Sequence, residues 1–241
     1  MQHENEKKTE VDSGITSGNA GWTFDVPPAE FENHIEKSVP FYKEGHELIA
    51  QISDFFLPEN ALVYDIGTTT GAIPRKILSR HPEKNVRIIG LDVVDSMIGY
   101  ARQSTNDPRA TFICENALEH EFDNANLVIM YYTQQFIHPS VRIDLLKKIY
   151  NSLAWGGGLL VFEKVRAPDA RFQDYMSQLY IEFKLDNEFS ADQILNKQRS
   201  LKGVLEPFSE LGNRTLFEEA GFRDILTVFK YICFEGWLLI K

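Results

Sequence analysis

The sequence predicts an α/β fold: a Rossmann-like, doubly wound, mostly parallel sheet that ends in an antiparallel hairpin. Three observations carry that reading. From Leu62 onward, apolar runs of strand length alternate with stretches of helical period, the pattern of a parallel sheet covered by helices on both faces. The first run, "LVYDIGTTTG", ends in an acid and two glycines four apart, which lets the chain turn sharply from strand to helix. The last two runs, "FRDILTVFK" and "YICFEGWLLIK", are too close together for a crossover helix and must pair antiparallel.

The elements follow in order. Residues 1–21 are charged and then Ser/Gly-rich, a composition that cannot bury enough apolar area to offset chain entropy, so a disordered tail is expected there. One domain is expected from Trp22 to Lys241. Phe31, Ile35 and Val39, then Leu48, Ile49, Ile52 and Phe56 beyond Pro40, predict two helices separated by the proline. Strand 62–67, helix 72–80 and strand 86–91 come next, followed by helix 95–104 and strands 110–114 and 126–131. Helix 139–153 and strand 158–163 complete the alternation. Gly156, Gly157 and Gly158 precede a strand, so they predict a turn after the helix and not a phosphate loop. Segment 168–205 is helical in pattern but interrupts the alternation, and is read as an insertion capping the sheet. A helix over 209–220 stops at Gly221. Tyr131 and Tyr132 close a strand, and strand alternation sends one toward a pocket and the other into packing.

Composition narrows the function. The chain has 241 residues, 43% of them hydrophobic, and no apolar run near the ~20 residues that span a bilayer. The start "MQHENEKKTE" lacks the apolar centre of a signal peptide, so a cytoplasmic protein with no membrane partner is expected. A formal charge of −10 opposes direct nucleic-acid binding, which draws on Lys and Arg, and leaves a small-molecule substrate. Cys114 and Cys233 sit in strand-like runs and are expected to be buried free thiols. The six histidines are scattered, so no metal is expected.

In a doubly wound sheet the ligand lies across the carboxyl ends of the strands. Asp92 ends the second strand, twenty-one residues after Gly71, where a carboxylate can accept from both hydroxyls of a ribose. The first turn lacks the G-x-G-x-x-G spacing, and Asp65 stands two positions before its first glycine. A carboxylate there repels pyrophosphate and suits an ammonium. A nucleoside joined to an amino acid is S-adenosylmethionine.

The chain resembles the class I S-adenosylmethionine-dependent methyltransferases, and within them the carboxy-S-adenosylmethionine synthase branch. "WTFD", "KSVPFY", "VYDIGTTTGA", "LDVVDSMI", "TQQF", "KIYNSL", "GGGLLVFEK", "KQRS" and "LLIK" occur in that family's order. The resemblance implies S-adenosylmethionine, or a carboxylated derivative of it, as cofactor. It implies that Tyr42 reaches the cofactor, that Gly67, Thr68 and Thr69 in the turn closed by Gly71 line its methionine end, and that Asp92 and Val93 flank the ribose. Asn116 and Ala117 fall at the adenine position, Tyr131 beside the sulfonium, and Arg199 at the position that holds a carboxylate; Tyr131 and Arg199 are the candidate catalytic residues. A homodimer is implied, with the insertion near the partner. Thr68, Thr69 and Thr70 stand where that branch has Cys-Ser-Leu, and Tyr131 where it has asparagine. Two activities follow: transfer to a small carboxylate-bearing molecule, or cyclisation of the cofactor itself to azetidine-2-carboxylate and methylthioadenosine.

Overall fold

The computed structural model describes residues 26–241; the expected tail over 1–21 and the domain start at Trp22 lie outside the described residues. Helices α1 (Pro28–Ser38) and α2 (Tyr42–Ser53) precede β1 (Ala61–Ile66), α3 (Ala72–Arg80), β2 (Val86–Asp92), α4 (Asp95–Ser104), β3 (Ala110–Cys114) and β4 (Ala125–Tyr131). A 3-10 turn, Gln134–Phe136, leads to α5 (Pro139–Ser152) and β5 (Leu153–Lys164). The chain finishes with α6 (Ala170–Asp186), α7 (Ala191–Ser200), α8 (Glu210–Ala220), β6 (Asp224–Tyr231) and β7 (Phe234–Ile240).

The strands form one sheet in the order β3-β2-β1-β4-β5-β7-β6. β1 to β5 are parallel, while β7 lies antiparallel between β5 and β6. The order reverses between β1 and β4, and a crevice opens at such a reversal beyond the carboxyl ends of the strands. Period-two alternation divides the core. Val63, Ile88, Leu127, Ile129 and Leu160 pack with Ile49 and Ile52 of α2 and Ile73 and Ile77 of α3. Their neighbours Leu62, Tyr64, Val128, Met130 and Val161 turn the other way, onto Leu145, Leu146 and Ile149 of α5 and Phe217 of α8. Each such buried aliphatic side chain contributes about 1.5–3 kcal/mol relative to exposure.

The insertion contains two helices with their own start signals. Asp169 accepts from the Phe172 amide at the head of α6, and Ser190 and Gln193 form a reciprocal capping box at the head of α7.

Two expectations change. β5 begins at Leu153, paired with Ala125, and its register shifts before Gly158 pairs with Leu127. Gly156 takes φ 75°, so the glycines make a bulge inside a long strand rather than a turn ahead of it. Cys233 is buried, but Cys114 is exposed; it ends β3, the edge strand of the sheet. Both thiols are free. No helix among the described residues is long and apolar enough to cross a membrane.

Candidate functional site

A cavity of about 530 Å³ lies over the carboxyl ends of β1, β2 and β4 and beneath α1, α6 and α7. Its floor is the turn after β1. There Gly67 has φ 76°, and a Cβ on it would stand 2.3 Å from Thr133 Oγ1, so only glycine fits both the backbone and the space. The Gly67 and Thr68 amides donate to the Leu91 carbonyl at 2.8 and 3.0 Å, which fastens the turn to β2. Gly71 lies outside the cavity lining. It stands at the head of α3 with φ 77°, against Phe112 and Ala101.

Asp65 lines the cavity from the end of β1 and is only 1% exposed. Its Oδ2 and the Thr68 hydroxyl are both buried without a hydrogen-bond partner among the described residues. Burial raises its pKa from 3.8 to about 7, the Thr68 side chain pulling the other way and Asp92 adding to the rise. A buried carboxyl oxygen without a partner is costly, and a cationic group in the cavity would supply one.

Asp92, buried at the end of β2, accepts from the Thr69 amide through Oδ2 at 2.9 Å and from the Val94 amide through Oδ1 at 3.0 Å. These bonds fix the carboxylate's orientation, and each oxygen keeps a further lone pair for a hydroxyl donor. Burial raises its pKa, against the pull of the Val94, Thr69 and Val93 amides. Val93 and Asn116 are exposed at the rim, and Ala117 is buried beside them. The Asn116 side-chain carbonyl accepts from the Leu118 amide at 3.1 Å, which fixes which way that amide group points.

Tyr131 ends β4 with its hydroxyl donating to the Tyr42 carbonyl at 2.8 Å. Strand alternation predicted that only one of Tyr131 and Tyr132 would face the pocket, yet both line it. Tyr132 has φ 59°, so the chain leaves strand geometry there and both rings swing to one side, their centroids 4.5 Å apart. Tyr42, with its ring centroid 5.2 Å from Tyr131, and His46, at 4.9 Å, complete an aromatic wall. His46, which the sequence reading passed over, has its pKa lowered to about 4 by burial and by Lys76, so it is neutral near pH 7.

Arg199 does not reach this cavity. It lies on the exposed side of α7, while its neighbours Lys197, Gln198 and Leu201 line the cavity wall. Lys164, Tyr180 and Lys184 also line the cavity, and the sequence reading selected none of them. Tyr180 and Lys184 are four apart and so share a helix face, a signal that was present in the sequence. The assembled site can hold a molecule that offers an ammonium to Asp65, hydroxyls to Asp92 and a polarisable cation to the aromatic wall. Among the described residues no group of three or more His, Cys, Asp or Glu side chains could hold a metal.

Residues 63–157 match the family described as a methyltransferase domain. The chain is 36% identical over 222 residues to the carboxy-S-adenosyl-L-methionine synthase of Staphylococcus epidermidis, covering 91% of this chain and 97% of that one. It is 35% identical to the enzyme of the same name from Helicobacter pylori strain G27, covering 90% and 92%. Among solved structures it superposes on human N-acetylserotonin methyltransferase in complex with SAM with a TM-score of 0.56 and 19% identity, over 93% of this chain and 63% of that one. An O-methyltransferase family protein from Burkholderia thailandensis gives 0.62 at 14% identity, over 89% and 59%. The chain thus spans less than two thirds of either structural neighbour, and the likeness to them is one of fold.

Proposed function

The chain belongs to the carboxy-S-adenosyl-L-methionine synthase family, within the class I methyltransferase fold, and from that premise we propose that it is an S-adenosylmethionine-dependent transferase acting on a small carboxylate-bearing molecule. It is an S-adenosylmethionine-dependent enzyme. When bound, that cofactor supplies an already activated sulfonium, so the protein's own groups need mainly to bind and align. Asp65 would accept from the ammonium of the amino-acid end, in the turn of Gly67, Thr68 and Thr69. Asp92 would take the ribose hydroxyls beside Val93, and Asn116 and Ala117 would bracket the base. Tyr131 and Tyr42 would set their ring faces toward the positive sulfur, an attraction of about 1–2 kcal/mol when desolvated.

The observation that carries this reading is Asp65, buried at the cavity floor with one oxygen unpartnered among the described residues. A pyridine dinucleotide would set phosphates near it, and the acid would repel them. Arg199 remains the proposed carboxylate ligand, acting in the cavity of a second copy. Its exposed position and the exposed apolar side chains of Tyr175, Leu179 and Leu195 on the same pair of helices support a homodimer built through this insertion.

A second reading is favoured by the aromatic wall, where Tyr131 stands in place of the family's asparagine. A closed aromatic pocket also suits the cofactor's amino group attacking its own side-chain carbon, giving azetidine-2-carboxylate and methylthioadenosine. Mass spectrometry of small molecules released from the purified protein should find S-adenosylmethionine or a carboxylated form of it. Incubation with S-adenosylmethionine alone then separates the two readings, because only cyclisation releases methylthioadenosine without a second substrate. Recovery of a pyridine dinucleotide would reject both.

A further inference from the structure

Lys164 is the last residue of β5, and Lys184 lies in the last turn of α6; the fold brings both to the lining of the cavity. The Tyr180 ring stands close to both, with the Lys164 Nζ 4.3 Å and the Lys184 Nζ 4.4 Å from its centroid. The Tyr180 hydroxyl donates to the Ser38 carbonyl at 2.9 Å, which ties that ring to the end of α1 and fixes where the ammonium groups sit. Lys184 is only 7% exposed.

Among the described residues no acid is paired with either lysine. Among the described residues the titratable groups acting on Lys164 are Cys233, Arg166 and Lys202, and those acting on Lys184 are Lys164 and Cys233. Burial raises the Cys233 pKa, so the thiol brings no negative charge near neutral pH. Burial lowers the pKa of both lysines, that of Lys184 to about 8, with Lys164 contributing to the fall. Two converging cations with no counter-ion among the described residues are expensive to bury, and perturbed groups of this kind gather where a charged ligand binds.

We propose that Lys164 and Lys184, positioned by Tyr180, bind a carboxylate of the second substrate where β5 and α6 line the cavity. The inference rests on the transferase reading given above. It places this anion site within the protomer, separate from the group that Arg199 would engage from a partner.

The probes are sodium acetate, sodium succinate and inorganic phosphate, titrated calorimetrically into protein saturated with S-adenosylhomocysteine. Acetate or succinate should bind, and Lys164→Met and Lys184→Met should each weaken that binding by about tenfold or more. The affinity for S-adenosylhomocysteine should not change in either variant. Because each substitution removes an unbalanced buried cation, neither should lower the thermal midpoint. Should a variant fail to fold, the unaltered protein carries the test: after reductive ¹³C-methylation, the Lys164 and Lys184 resonances should shift when acetate is added.

Carboxylate binding that survives both substitutions would overturn the proposal, as would lysine resonances that ignore acetate. A preference for phosphate over both carboxylates would overturn it too. A parallel loss of S-adenosylhomocysteine affinity would assign the lysines to the cofactor's own carboxylate instead. Failure of the unaltered protein to bind S-adenosylhomocysteine at all is a different result, and it rejects the cofactor reading itself.

Discussion

At the scale of single residues, Asp65 couples protonation to ligand binding. Its pKa in the folded protein, about 7 because of burial, lies above the ordinary 3.8. Between those values the folded state holds a proton that the unfolded chain has released, so Asp65 makes the ligand-free protein less stable as pH rises through that window. An ammonium ligand selects the ionised form and reverses the trend. S-adenosylhomocysteine affinity should therefore climb by up to about tenfold per pH unit below about pH 7. At alkaline pH it should fall again, once the ligand's own amine loses its proton. Asp65→Asn should remove the acidic limb and cost about 1.5–3 kcal/mol, the worth of a hydrogen bond to a charged group. Calorimetry across the range checks both, and an unchanged acidic limb in the variant would assign the titration to another group such as Asp92. This acid was legible in the sequence because its place is set by the end of a strand. The facing of Tyr132 was not, because one left-handed φ cancels strand alternation and nothing in "MYYTQ" marks it.

At the scale of elements, α2 and β4 meet through one close approach. A Cβ added to Gly45 would stand 2.1 Å from the Tyr131 hydroxyl oxygen and 2.9 Å from its ring carbon Cζ. The tyrosine thus occupies space that only a glycine on α2 leaves open, although glycine inside a helix costs roughly 0.5–1 kcal/mol relative to alanine. Gly45→Ala should destabilise the protein by about 1–3 kcal/mol through overpacking. With Tyr131→Asn already present, the same substitution should cost little or nothing. Denaturant titration of the four proteins gives the coupling directly, and additive effects would show that the two residues do not share that space. The sequence foretold both elements from their apolar periods. Their contact was not foretold, since a glycine in a helix and a tyrosine ending a strand are each ordinary alone. The long β5 was hidden for a related reason: "WGGG" reads as a break, and only pairing with β4 and β7 draws it into the sheet.

At the scale of the whole molecule, the crevice was legible because it follows from strand order, whereas part of its lining joins Lys164 to Tyr180 and Lys184 across the α6 insertion. No local pattern links the end of β5 to that helix. The same insertion holds Arg199 away from its own cavity, and a dimer that uses both cavities makes a quantitative demand. Take Asp65→Ala, which damages the cofactor end, and Arg199→Ala, which damages only what it offers to a partner. Each homodimer should be nearly inactive. In a mixed dimer, the protomer that keeps Asp65 receives an intact Arg199 from the other, so one of its two sites is whole. Free exchange of equal amounts puts about half of all protomers into mixed dimers, so about a quarter of the sites should recover. Turnover measured after mixing checks this, with sedimentation confirming that subunits exchange. If exchange occurs and activity does not return, Arg199 acts within its own protomer or not at all. If Arg199→Ala alone keeps full turnover, the carboxylate is held without it, and the Lys164–Lys184 pair is left as the anion ligand.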